Sequence, residues 1–178
     1  FSYLSTKEEN TLTDRVTLHV LKNCDEKYII FNFLERGSDE RQYNSPGIDL
    51  PVGSLMRTIY RSYPEYHTSD DNLNFVTPEA LHGSWDMYLR CIETLENNRT
   101  YKTTVLGEPQ LGKRGLYPNL SFKSSAESER KRKIIDFITY CDGENDLIYI
   151  ADKIDCPVWD LFPIAEKLLS HEILEIVN

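Results

Sequence analysis

What this sequence has little of narrows its reading first. No apolar run approaches the roughly 18 residues that a bilayer span needs, and no secretory leader is expected before the globular pattern. Positive charge is in short supply. Twenty Lys and Arg face 29 Asp and Glu, a net charge of −9, which argues against general nucleic-acid binding, since that needs a basic face. Cysteine is sparse: Cys24, Cys91, Cys141 and Cys156 are widely separated and form no C-x-x-C pair, so inert structural roles and a reducing, cytoplasmic setting are expected. Asn98-Arg-Thr100 and Asn119-Leu-Ser121 match the glycosylation pattern, but without a leader they read as chance. The chain opens on Phe1 rather than Met, and the expectation is a piece of a longer protein.

Enough apolar residues remain to build a core. Hydrophobic residues make up 40% of the 178, with eleven Tyr and seven Phe, so an ordered domain, or a domain with a small one appended, is expected rather than disorder. A helix is expected from Thr13, with Val16, Leu18, Val20 and Leu21 on its apolar side; His19 reads there as a surface or packing residue. The run Lys27 to Phe33 reads as a buried strand, and helix followed by strand suggests an α/β layer. Ser38 can cap a short helical turn through Tyr43, ended by Pro46-Gly47. Ile48 to Met56 is a second strand candidate, with Pro51 hinting at an edge. Thr77-Pro78-Glu79 is a strong helix start. Leu81, Trp85, Tyr88, Ile92 and Leu95 follow at spacings of four and three, so this helix is expected to lay that stripe on the sheet as core. Tyr101 to Leu106 could form a short strand, and Gly107 to Asn119 a linker loop.

The texture changes near Ser124. Helices are expected over Ala126 to Cys141, Leu147 to Ile154 and Val158 to Leu169, then a strand over Glu172 to Val177, a winged-helix layout. In DNA-reading versions the third helix enters the major groove; here it carries Asp160, Glu166 and only Lys167. Residues 123–178 hold seven Lys and Arg against twelve Asp and Glu. The run Arg130 to Lys133 reads as a solvated helix face, and a structural or protein-contact role is favoured over DNA reading.

The chemistry concentrates between Gly37 and Val76. Acids and a histidine on loops beyond strand ends are where α/β proteins place their chemistry. His67, between Tyr66 and the acids Asp70 and Asp71, has the makings of a zinc ligand, because a neighbouring carboxylate fixes the imidazole tautomer. Asp39 could bring a carboxylate to the same sheet edge. From spacing alone, a plain loop histidine in a capped turn is the favoured reading.

Three segments in order carry a resemblance: Ser38-Asp39-Glu40-Arg41-Gln42-Tyr43, Gly47-Ile48, and Tyr66-His67-Thr68 with Asp71-Asn72. They resemble the C-terminal half of the zinc exopeptidase superfamily, which includes leucyl-type aminopeptidases and glutaminyl cyclases. There the segments read Ser-Asp-His, Gly-Ile-Pro and aromatic-His-Thr with an Asp four residues on. More closely, Arg36 to Phe75 and the loop Leu106 to Pro118 look like a bacterial aminopeptidase-like family with a C-terminal winged helix, some of whose members are labelled polysaccharide-biosynthesis proteins. The resemblance runs from about Asp14 to the end.

The resemblance implies an α/β fold: part of a three-layer α/β/α zinc-exopeptidase-like domain over residues 1–122, then a winged helix over 123–178. It implies zinc, with His67 as a metal ligand and Asp71 and Asp39 as catalytic carboxylates, the one orienting His67 and the other hydrogen-bonding substrate. Arg41, Tyr43 and Tyr66 would line a pocket for a small peptide or other amide. Two positions depart from the pattern, Glu40 for the superfamily's His and Asp49 for its Pro. The other metal ligands and the glutamate base lie upstream in the superfamily, and residues 1–35 hold none of them. The expected activity is therefore zinc-dependent hydrolysis in an intact parent protein. An inactive binding scaffold linked to polysaccharide biosynthesis is the alternative, and a winged-helix regulator a third reading.

Overall fold

The structure, a computed structural model, describes residues 1–25, 27–116 and 125–177. The end of the expected linker loop and the Asn119 motif lie outside these residues. The chain forms two compact units, Phe1–Leu95 and Glu96–Asn178.

The first unit is built on a three-stranded sheet ordered β2-β1-β3. Strand β1 (Ser2–Leu4) pairs in parallel with β2 (Ile29–Phe31) and antiparallel with β3 (Ser54–Met56). Helix α1 (Leu12–Cys24) makes the crossover that a parallel pair requires. Its cap is Thr11, not Thr13: Thr11 and Asp14 form a capping box, while the Thr13 hydroxyl donates to the Pro51 carbonyl at 2.9 Å. Asp14 is buried and accepts from the Tyr3 hydroxyl, the Thr6 amide and hydroxyl, and the Thr11 amide and hydroxyl, at 2.5–2.9 Å. Those five donors weld strand, turn and helix start into one joint. Val16, Val20, Leu21 and His19 face the interior, so His19 is a packed residue.

Both strand expectations shorten. The run Lys27 to Phe33 gives only Ile29–Phe31, and it is not buried: Ile29 and Ile30 are 55% and 52% exposed. Strand β2 stands at the sheet edge, where these residues cover neither face with chain. The run Ile48 to Met56 keeps Ser54–Met56 alone, because Asp49 adopts a left-handed φ of 49° and Pro51 offers no amide to a ladder. Helix α2 (Glu40–Tyr43) is a single turn whose N-cap is Asp39, without a side-chain capping bond, in place of Ser38.

Helix α3 (Pro78–Asn97) starts as expected, with the Thr77 hydroxyl accepting from the Ala80 amide at 3.2 Å. Its apolar stripe is a correction. Leu81, Trp85, Tyr88, Ile92 and Leu95 are between 42% and 65% exposed, and the buried positions are Met87, Cys91 and Thr94. Periodicity identifies an apolar face; it does not say what that face meets.

The second unit begins before residue 123. Strand β4 (Thr100–Thr103) is the middle strand of a second sheet, ordered β5-β4-β6. It pairs antiparallel with β5 (Asp142–Asp146) and β6 (Leu174–Ile176). By that pairing the second unit starts at Glu96, so the two units divide at 95/96, where 122/123 was expected. Helices α4 (Ser125–Thr139), α5 (Leu147–Lys153) and α6 (Phe162–Ser170) complete it. Strand β5 went unforeseen because its residues, Asp-Gly-Glu-Asn-Asp, carry almost no strand propensity; β4 supplies the ladder. Phe137, Leu147, Ile148, Ile150, Leu161 and Leu168 form the core. Within the basic run, Lys133 is held by Asp160 at 2.7 Å and Arg132 by Asp136 at 3.5 Å. No helix among the described residues is long and apolar enough to cross a membrane.

Candidate functional site

The candidate site residues fall on two stretches of the first unit. Asp39, Arg41 and Tyr43 sit on or beside α2, and all three are exposed. Tyr66, His67 and Asp71 sit on the loop of residues 57–76, which is a chain of tight turns. Thr68 N–H donates to the Glu65 carbonyl at 3.1 Å, Asp71 N–H to Thr68 at 3.3 Å, and Val76 N–H to Asn72 at 2.9 Å. Asn and Asp side chains make such turns by bonding the backbone two residues on, as Asn72 does to the Asn74 amide at 2.9 Å.

His67 is exposed, with a left-handed φ of 59°, a conformation that costs a residue bearing a Cβ. Its ring stacks on Tyr66 with centroids 4.0 Å apart and planes 14° from parallel. Tyr66 meets Tyr63 edge to face at 5.7 Å, and Tyr63 stacks on Phe75 at 5.5 Å. A chain of three rings thus supports the histidine. Burial and the nearby Asp71 charge push the Tyr63 phenol up. Asp71 itself makes no hydrogen bond or ion pair with His67. The expected orienting contact is not formed within this chain.

The other stretch is fixed by Glu40, the first departure from the resembled pattern. Glu40 is 2% exposed. One carboxylate oxygen accepts from the Gly37 and Ser38 amides at 2.8 and 2.9 Å and from the Tyr60 hydroxyl at 3.2 Å; the other accepts from Ser54 at 3.3 Å. Burial pushes this carboxyl up, but the backbone and phenol donors outweigh it and hold it below its usual value. Gly37 is required here, since a Cβ would lie 2.7 Å from the Tyr60 ring. Through Tyr60, Glu40 ties the Asp39 turn to the start of the His67 loop. No hydrogen bond or ion pair joins Asp39, Arg41 or Tyr43 to Tyr66, His67 or Asp71.

Asp49, the second departure, has a φ that proline cannot reach, and its carboxylate is bound by Lys7. The local backbone therefore differs from that of a Gly-Ile-Pro segment. As for a metal, the described residues contain no group of three His, Cys, Asp or Glu that could hold one. Zinc takes three or more protein ligands, so the described residues do not by themselves fit it. Tyr63, Phe75 and Tyr60 were missed as supporting residues. The signal for the first two was aromatic spacing around Tyr66; nothing in the sequence singled out Tyr60.

A small mixed α/β unit with an exposed histidine loop, joined to a winged-helix unit, defines the class. The chain belongs to the family described as a domain of unknown function (DUF4910), whose model matches residues 1–98. A winged helix-turn-helix model matches residues 99–176. The chain is 39% identical over 177 residues to a protein of Clostridium acetobutylicum named "Putative polysaccharide biosynthesis protein with aminopeptidase-like domain", covering 99% of this chain. It superposes with a TM-score of 0.86, at 37% identity and 99% coverage, on the crystal structure of a "putative peptidase" from Clostridium acetobutylicum. The chain spans about 40% of the length of that curated relative and 38% of that crystallised chain.

Proposed function

We propose that these residues are the C-terminal part of an aminopeptidase-like hydrolase acting on a peptide or other amide bond. The complete domain would be a three-layer α/β/α sandwich of the zinc-exopeptidase kind. The observation that carries the reading is the presentation of His67: a solvent-facing imidazole, in a backbone conformation that costs energy, supported by stacked rings. Strained residues held by their surroundings cluster at functional sites. A relative with 39% identity that bears an aminopeptidase-like name supports the same reading.

In this reading His67 is one ligand of a zinc site whose remaining groups lie outside the chain. Asp39 hydrogen-bonds the substrate, Asp71 keeps the His67 turn in shape, and Arg41, Tyr43 and Tyr66 line the approach. The winged-helix unit serves as a protein contact rather than a DNA reader. Its third helix carries Glu166 beside Lys167, and two of the four cations in the Arg130 to Lys133 run are held by Asp136 and Asp160. The setting is cytoplasmic.

The test is elemental analysis of the full-length protein, purified without added metal. About one or two zinc per chain are expected, as for a catalytic site, with loss of zinc in His67→Ala and an unchanged circular dichroism spectrum. Unchanged zinc stoichiometry in that variant overturns the role of His67. A second reading, an inactive scaffold in polysaccharide biosynthesis, draws on the relative's name; absence of metal even after zinc is offered would favour it.

A further inference from the structure

Helix α3 has two apolar faces, and its own unit uses one. Met87, Cys91 and Thr94 are buried. A second row, Leu81, Trp85, Tyr88, Ile92 and Leu95, is exposed, with Leu89 also exposed at its border, although the Tyr88 hydroxyl reaches back to donate to the Leu55 carbonyl at 2.7 Å. Spacings of four, three, four and three residues set these side chains in one straight row, the pattern of a helix seam that meets another element. Soluble monomers rarely leave a contiguous apolar patch above a few hundred Å² uncovered, and a helix hydrophobic on both sides is ordinarily an interior helix.

A second, independent observation concerns β2. Parallel strands are almost always covered on both faces by their connections. Ile29 and Ile30, in the parallel edge strand, are more than half exposed, and they point to opposite faces of the sheet. The unit therefore presents uncovered apolar surface on a helix and along a sheet edge at once. Meanwhile its matched relatives are longer chains, of which it accounts for 38% and 40%.

We infer that the outward stripe of α3 is an internal interface, covered by the remainder of the same polypeptide lying outside these 178 residues. This rests on the reading of the chain as part of a longer aminopeptidase-like protein. The occupant must be apolar where it meets Trp85 and Ile92. It must tolerate Glu96 at the border of the stripe, so a basic or neutral residue is expected to meet it there. Within the proposed fold, α3 then lies beneath another element of the same protein rather than at the surface.

The experiment uses the protein at the full length its gene encodes, in a Cys24→Ser background that removes the exposed native thiol. Ile92→Cys places a thiol on the stripe; Glu79→Cys places one on an exposed position of the same helix as a control. Each is reacted with a polar maleimide, natively and in urea. Native labelling at position 92 is expected to be about 100-fold slower than in urea, because the reagent must wait for local opening, with the control close to its urea rate. Equal native rates at 92 and 79 overturn the inference. So does protection that disappears on dilution, which would assign the stripe to a second copy. An encoded length ending with these residues overturns it as well. Zinc is measured on the same samples: bound zinc with an open stripe defeats this inference alone, and a protected stripe without zinc defeats only the hydrolase reading.

Discussion

Tyr63 and Phe75 stack with centroids 5.5 Å apart and planes 27° from parallel, closing the loop that carries His67 upon itself. The loop has no helix or strand of its own between Met56 and Pro78, so this contact and the chain of backbone turns hold its shape. Tyr63→Ala removes the stack and the edge contact to Tyr66. Aromatic pairs add about 0.5–1.5 kcal/mol beyond burial, and half-exposed rings belong at the low end. Global stability should fall little. Hydrogen exchange across residues 63–76 should instead quicken about tenfold, while α1 and β1 keep their protection. Unchanged exchange in the loop would show that the turns alone hold it.

Glu40→Gln tests the joint between the two stretches of the candidate site. The amide keeps the shape but presents an NH2 group to a place surrounded by donors: two backbone amides, Ser54 and Tyr60. Leaving buried donors unpaired costs about 1–3 kcal/mol. Denaturant titration should show a loss in that range, and Gly37→Ala, which drives a Cβ against the Tyr60 ring, should do likewise. A Gln variant as stable as the parent would mean that water replaces the carboxylate there.

How much of this was legible in the sequence depends on what each residue had to reveal. Thr77-Pro78-Glu79 announced α3 because capping chemistry is local, and the Leu-Trp-Tyr-Ile-Leu stripe announced an apolar face because its period is local. Whether the stripe is covered is a tertiary fact, and there the expectation failed. Strand β5 failed for the opposite reason: Asp142–Asp146 has no strand propensity, and only β4, forty residues earlier, makes it a strand. Glu40 stood out as a departure from a motif. That it is buried, and holds Gly37, Ser38 and Tyr60, depended on a fold that composition does not encode.

The thiols separate by degree of burial: burial also pushes the exposed Cys24 thiol up, but with a smaller effect than on the three buried ones. Burial pushes Cys91 and Cys156 up to about 11 and Cys141 up to about 12, and Cys141 donates to the Phe137 carbonyl at 3.3 Å. Thiolate is the reactive form, so these three should stay silent to iodoacetamide at pH 8, while exposed Cys24 reacts. Mass spectrometry should find one label per native chain at Cys24 and four after unfolding. Labelling of Cys156 at the rate of Cys24 would place it on the surface instead.

Among the described residues Asp14 and Glu40 are the buried carboxylates, and both bear on acid stability. Burial pushes Asp14 up, but the hydroxyls of Thr6 and Thr11, the Thr6 amide and the Tyr3 phenol outweigh it, so its carboxyl sits below its ordinary 3.8. Glu40 likewise sits below its ordinary 4.5. A carboxyl held lower in the folded state than in the unfolded one binds fewer protons when folded. Its contribution is therefore complete above the unfolded value and declines as pH falls through the folded one. Stability of the first unit should be level in this respect from neutrality to about pH 5, then fall as the pH drops through 4.5 and 3.8. Asp14→Asn should flatten the lower part of that limb, and Glu40→Gln the upper part, at the expense of stability at pH 7. Because the Asn variant keeps a side-chain acceptor for some of its five donors, its neutral-pH loss should be smaller than that of Asp14→Ala. An acid limb of undiminished slope in both the Asn and Gln variants would place the acid sensitivity in other carboxylates.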